Sequence, residues 1–127
     1  MGSLSDYFEN KVVAHVFSGV AWTPPVTWYA SLFTVAPGEA GGGMEVTAGG
    51  YARMAFTCTT AGSVASNALS LEFPMSMIDH GSVVAVGVHD LLTGGNLCAY
   101  HVLAVPLTYN ANETIRIPAG QLTLALD

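Results

Sequence analysis

The chain has 127 residues, 51% of them hydrophobic and only 9% charged, with a net charge of -6 at pH 7. Its basic residues are Lys11, Arg53 and Arg116, too few and too scattered for a phosphate-binding surface, which argues against nucleic acid and anionic membranes as partners. Soluble domains carry about a quarter charged residues, so a chain this poor in charge is expected to have part of its surface covered by other protein.

The start, Met1-Gly2-Ser3-Leu4-Ser5-Asp6, has no positive region followed by an apolar run. Asp6 also stands where a myristoylation pattern wants Ser or Thr, so neither a secretory leader nor a lipid anchor is expected. Residues 3–18 read as a helix. Ser3 followed by Asp6 makes a capping-box-like start, because a hydroxyl accepts from orphan N–H groups and a carboxylate suits the positive helix end. Leu4, Phe8, Val12 and Val16 recur at i, i+4, with Tyr7 and Ala14 beside them, and Gly19 supplies a stop. Val13 and Phe17 fall on a second side, leaving Asp6, Glu9 and Asn10 as a narrow polar remainder. A helix apolar over most of its circumference is usually covered on two sides. One side is expected on the chain's own sheet and the other on a neighbour, so Phe8, Lys11, Val12, Val13, His15, Val16 and Phe17 form the candidate assembly face. Lys11 and His15 sit inside the apolar arc, where polar groups need partners, and an intersubunit hydrogen bond or salt bridge is expected to provide them.

After Thr23-Pro24-Pro25 the period changes to two, and strands are expected through residues 26–127. Residues 26–35 are aromatic and β-branched, as strands prefer. Residues 36–43, with Pro37 and Gly41-Gly42-Gly43, form a loop. Residues 51–59 alternate, placing Ala52, Met54, Phe56 and Cys58 on one face; residues 68–73 alternate with Leu69, Leu71 and Phe73 inward. Residues 82–90 and 96–105 flank a hairpin whose turn holds Gly94 and Gly95. Ile115 and Ile117, then Leu122, Leu124 and Leu126, face inward on the last two strands. The longest apolar runs, such as 83–88, are strand-sized and far short of the ~20 residues of a membrane-spanning helix. The reading is a mainly β chain: a β-sandwich or jelly-roll-like domain with one N-terminal α-helix, a single domain over residues 1–127.

The chemistry-bearing residues do not form a recognisable site. Asp79-His80, His89-Asp90 and Cys98-x-x-His101 are suggestive pairs, but zinc needs three or four converging ligands. On one regular strand, Cys98 and His101 would point to opposite faces. No serine lies in a nucleophile elbow, and Glu39, Glu45, Glu72 and Glu113 are dispersed. The glycines at 41–43 lack the Lys-Ser/Thr ending of a phosphate loop. Cys58 and Cys98 read as buried free thiols. No catalytic residue, metal or cofactor is therefore assigned. Aromatics offer the second candidate site: Trp22, Trp28, Tyr29, Tyr51, Tyr100 and Tyr109 could supply a stacking platform, with Trp22 and Tyr51 as the expected contacts for a host-surface glycan.

The stretch Leu4-Ser5-Asp6-Tyr7-Phe8-Glu9-Asn10-Lys11, with Thr23-Pro24-Pro25 before an aromatic strand, resembles the start of a family of small tailed-phage proteins. Gly49-Gly50-Tyr51-Ala52-Arg53, Ser66-Asn67 ahead of Leu71-Glu72-Phe73-Pro74, and Thr93-Gly94-Gly95-Asn96-Leu97 are similar to that family's segments, in the same order. The ending Ala119-Gly120-Gln121-Leu122-Thr123-Leu124 continues the likeness across the whole chain. Met54, Cys58, Met75, Met77 and Cys98 depart from it toward sulfur. The family carries the label of phage tail fibre protein, which implies a non-enzymatic structural protein of the virion, assembled in the host bacterial cytoplasm. The expected partners are itself, as a homotrimer, and other capsid or tail proteins. The place expected on the particle is the tail fibre, the tail apparatus or the capsid surface as a decoration (cement) protein, and a receptor-binding module is the alternative.

Overall fold

A computed structural model describes residues 3–125. Eleven strands and one helix follow one another as β1 (Ser3–Leu4), α1 (Asp6–Phe17), β2 (Trp28–Val35), β3 (Met44–Glu45), β4 (Met54–Phe56), β5 (Cys58–Ala61), β6 (Val64–Asn67), β7 (Leu71–Glu72), β8 (Ser82–His89), β9 (Leu97–Thr108), β10 (Arg116–Ile117) and β11 (Thr123–Ala125). The architecture is mainly β with a single N-terminal helix, as the change of period after the prolines indicates. Among the described residues, no helix is long and apolar enough to cross a membrane.

The helix begins later than residue 3. Ser3 and Leu4 pair with Tyr100 and Ala99 of β9, because Leu4 is needed in the core. The cap is Ser5, whose buried hydroxyl accepts from the Phe8 N–H at 3.3 Å and donates to the Leu97 carbonyl at 2.6 Å. One side chain thus starts the helix and ties it to β9. At the other end the Ser18 and Val20 N–H groups both reach the Ala14 carbonyl at 3.1 Å. Gly19, at φ 67, makes that reversal without a Cβ penalty.

The main sheet is antiparallel in the order β1-β9-β8-β2-β3, with β4 also on β2. The outer edge of β2 is shared: β4 pairs with Trp28 to Ala30, and β3 with Phe33 and Val35. β5, β6 and β11 make a three-stranded sheet, and β7 with β10 a two-stranded one. Alternation along β2 and β8 sends Ala30, Leu32, Val86 and Val88 into a core shared with Phe56, Leu71, Phe73, Tyr109, Ile115 and Leu122 from the rest of the chain. The opposite face of the same strands buries Ser31, Phe33, Ala85 and His89. On β9, Leu107 pairs with Val83 and Val102 with Ala85. Val84 therefore stands opposite the whole of residues 103–106, a wide bulge carrying Pro106.

Two expectations change. The alternating run 51–59 is broken at Thr57, and its halves, β4 and β5, belong to different sheets. Leu69 is exposed rather than inward, while Leu71 and Phe73 are buried. The reason is Asn67, buried at the end of β6. Its Nδ2 donates to the carbonyls of Leu69 at 2.8 Å and Pro118 at 3.1 Å, and its Oδ1 accepts from the Leu122 N–H at 3.0 Å. These bonds turn the backbone at residues 68–70 and interrupt the alternation. Leu126, expected inward, lies outside the described residues.

Candidate assembly surface

The helix uses one side against its own chain. Phe8 is half-buried and meets Trp22 and Trp28 edge-to-face, at 5.6 and 5.7 Å between ring centroids, and it adjoins the core. Val12 is half-buried as well. No helix residue is fully buried. The second side carries Val13, Val16 and Phe17, followed by Val20, all exposed; Phe17 is 82% exposed and Val16 63%. These values decide the matter of direction: of the two phenylalanines of the helix, Phe8 packs inward and Phe17 points away from its own fold. These residues follow one another at i, i+3, i+4 spacing, so they form one exposed apolar run.

Lys11 and His15 are placed differently from the expectation. Both are exposed rather than enclosed in an apolar arc, and both have partners within the chain. The Lys11 ammonium lies 5.7 Å from the centre of the Tyr7 ring, a weak cation–π contact at such a site. His15 Nδ1 is 2.9 Å from the Val20 carbonyl, and the ring stands edge-on to Trp22 at 6.3 Å.

The proposed stacking pair is split. Trp22 packs on the helix through Phe8 and His15. Tyr51 is half-buried, its ring stacked on Phe73 at 6.3 Å. Its hydroxyl accepts from the buried Leu32 N–H at 3.1 Å and donates to Glu45 Oε2 at 2.7 Å. Leu32 lies between the residues that pair with β4 and those that pair with β3, so the phenol takes the place of a strand there. Burial and the neighbouring Glu45 carboxylate push the phenol far above its ordinary pKa, which keeps it a neutral donor. Burial alone would raise the Glu45 carboxyl, but bonds from Arg53 and Tyr51 hold it below its ordinary value.

Arg53 completes this cluster. Its Nε and Nη2 fork onto Glu45 at 2.8 and 2.7 Å, and its Nη1 donates to the Leu91 and Gly94 carbonyls at 2.8 Å each. The guanidinium therefore fastens the β8–β9 hairpin to β3. Ahead of it, Gly49 adopts φ 67 in a place where a Cβ would lie 2.5 Å from the Ile78 side chain. The Gly-Gly-Tyr-Ala-Arg segment is thus a structural device, with its polar atoms engaged inside the molecule.

Several titratable groups are likewise held within the molecule. Ser31 Oγ and His89 Nδ1 lie 2.9 Å apart, a serine–histidine pair that the sequence could not suggest because β2 and β8 bring together positions 58 residues apart. Ser31 has no exposed surface, so this is a core hydrogen bond with no path for a substrate. Burial, with Arg53 nearby, lowers the His89 pKa to about 4. Burial pushes the Cys98 thiol up to about 12 and raises that of Cys58; both are free. Among the described residues, no three His, Cys, Asp or Glu side chains converge as metal ligands would.

Beside the helix, a groove of about 280 Å3 opens between Leu4, Phe8 and Trp28 on one wall and Val64, Ala65 and Leu124 of the three-stranded sheet on the other. No charged residue lines it. Residues 3–125 match the model of a protein family described as podophage GP4 fiber I protein gp80. No curated protein matches the chain.

Proposed function

Because the chain belongs to the podophage GP4 fiber I protein gp80 family, a structural fibre family of tailed phages, we propose that it is a non-enzymatic homotrimeric subunit of the fibre, assembled through its N-terminal helix. The observation that carries this reading is the outward side of α1, where Val13, Val16 and Phe17 are exposed on an otherwise well-capped element, with Val20 exposed just beyond it. Covering apolar area stabilises association by roughly 25 cal/mol per Å2 before the costs of association are subtracted. Val16→Glu places a charge in the middle of that face without touching the chain's own core, so it should separate assembly from folding. Sedimentation should give a trimer for the wild-type chain and a folded monomer for Val16→Glu. A wild-type monomer at all concentrations, or particle images placing the chain on the capsid lattice, would overturn the reading. Attachment to a host glycan through Trp22 and Tyr51 is less well supported, since the Tyr51 hydroxyl is engaged within the sheet.

A further inference from the structure

The scarcity of charge is not spread evenly along the chain. Residues 12–38, 54–71 and 117–126 contain no Asp, Glu, Lys or Arg. The fold gathers parts of these three stretches on one side. The segment through Trp28 comes from the first, β5 and β6 from the second, and β11 from the third. Trp28, Thr60, Val64 and Leu124 meet around the apolar groove. For a chain of net charge -6, contact between copies through a charged face is opposed by like-charge repulsion. Contact through this face is not.

We infer that the groove between α1 and the three-stranded sheet receives Phe17 of a second copy of this chain, a head-to-tail contact that rests on the assembly reading given above. Knob and hole are matched in size and character. An apolar cavity of roughly 150 Å3 already accepts benzene, and this groove, at about 280 Å3, takes a benzyl group with room for an adjoining methyl. Phe8 and Trp28 offer ring edges and faces to an incoming ring, an arrangement aromatic pairs favour.

Position forbids the same contact within one chain. Phe17 is nine residues beyond Phe8, roughly 14 Å along the helix axis, and points to solvent. A knob and a hole displaced along one element form a heterologous contact, which closes into a ring when the rotation allows. Val13, Val16, Phe17 and Val20 expose roughly 400 Å2 together, about half of the ~800 Å2 that a standard interface takes from each partner. The remainder would have to come from the groove walls, which no charged residue lines.

The test joins two exposed positions, one beside the knob and one at the rim of the hole. Full-length chains carrying Ser18→Cys are mixed with chains carrying Ser63→Cys and treated with a short bismaleimide, with the wild-type chain as the control for Cys58 and Cys98. The expected result is a covalent dimer in the mixture, absent from either variant alone and lost when Phe17→Ser is added to the Ser18→Cys chain. If sedimentation shows an oligomer but the mixture does not cross-link, the docking is wrong while assembly through the helix stands. Cross-linking of Ser18→Cys chains to one another would place the helices face to face and also overturn it. A monomer under all conditions removes both readings at once.

Discussion

Replacing Tyr51 by Phe removes a single oxygen from the shared edge of β2, and its cost can be worked out from the contacts. The ring remains stacked on Phe73, so no cavity opens. The Leu32 N–H, on a residue with no exposed surface, loses its acceptor, and an unsatisfied buried donor costs about 1–3 kcal/mol. Glu45 keeps both bonds from Arg53, so its loss is minor. A destabilisation of about 2 kcal/mol follows, a sizeable part of the 5–15 kcal/mol that holds a typical domain together. With a urea dependence of roughly 2 kcal/mol per M, the midpoint should fall by about 1 M at unchanged slope. Equilibrium unfolding followed by tryptophan fluorescence measures this directly. A midpoint within 0.2 M or so of wild type would mean that water or another group reaches Leu32, and the phenol's role as a substitute strand would have to be abandoned.

Two further outcomes follow from the buried polar groups. His89 titrates near pH 4 in the folded chain against about 6.5 when unfolded, so its contribution to stability is complete above 6.5 and declines as the pH falls toward 4. An NMR titration should find its midpoint near 4, and a midpoint above 6 would show that the ring is not buried as described. Asn67→Ala strips hydrogen bonds from Leu69, Pro118 and Leu122 together; a loss of about 3 kcal/mol is expected, with β11 opening first in amide exchange. Unchanged exchange in Thr123 to Ala125 would count against Asn67 as the anchor of that strand.

Much of this architecture was legible in the residue order. The apolar repeat at i, i+4 announces α1, and Gly94 with Gly95 announces the turn between β8 and β9. These signals are local: a period, a cap, a turn glycine. The failures are equally physical. Alternation from 51 to 59 persists across Thr57 because β4 and β5 both present one face inward, yet nothing in a period of two says that the chain changes sheets. Ser3 and Ser5 are equivalent as caps until Leu4 is known to be required in the core. β6 went unseen, although Gly62, at φ 61, marks the turn before it. The outward helix face was legible as a pattern, since Val13 and Phe17 fall away from Phe8 on any helical wheel. The groove was not, because its walls come from residues near 4, 28, 64 and 124, brought together only by strand pairing.

The bulge on β9 bears on how such a chain avoids uncontrolled polymerisation. Val102, Val105 and Leu107 are exposed there, beyond Ala99 and Tyr100 where β1 covers the strand, and a long uncovered edge is the usual setting for edge-to-edge nucleation of fibrils. Residues 103–106 break the even spacing of donors and acceptors that an incoming strand would read, and Pro106 withholds an N–H altogether. The apolar side chains remain, but the backbone template beneath them is spoiled. In a concentrated solution of identical chains, growth by β-stacking is thereby suppressed. In the proposed assembly, association is then left to side-chain packing, which can stop at a closed ring.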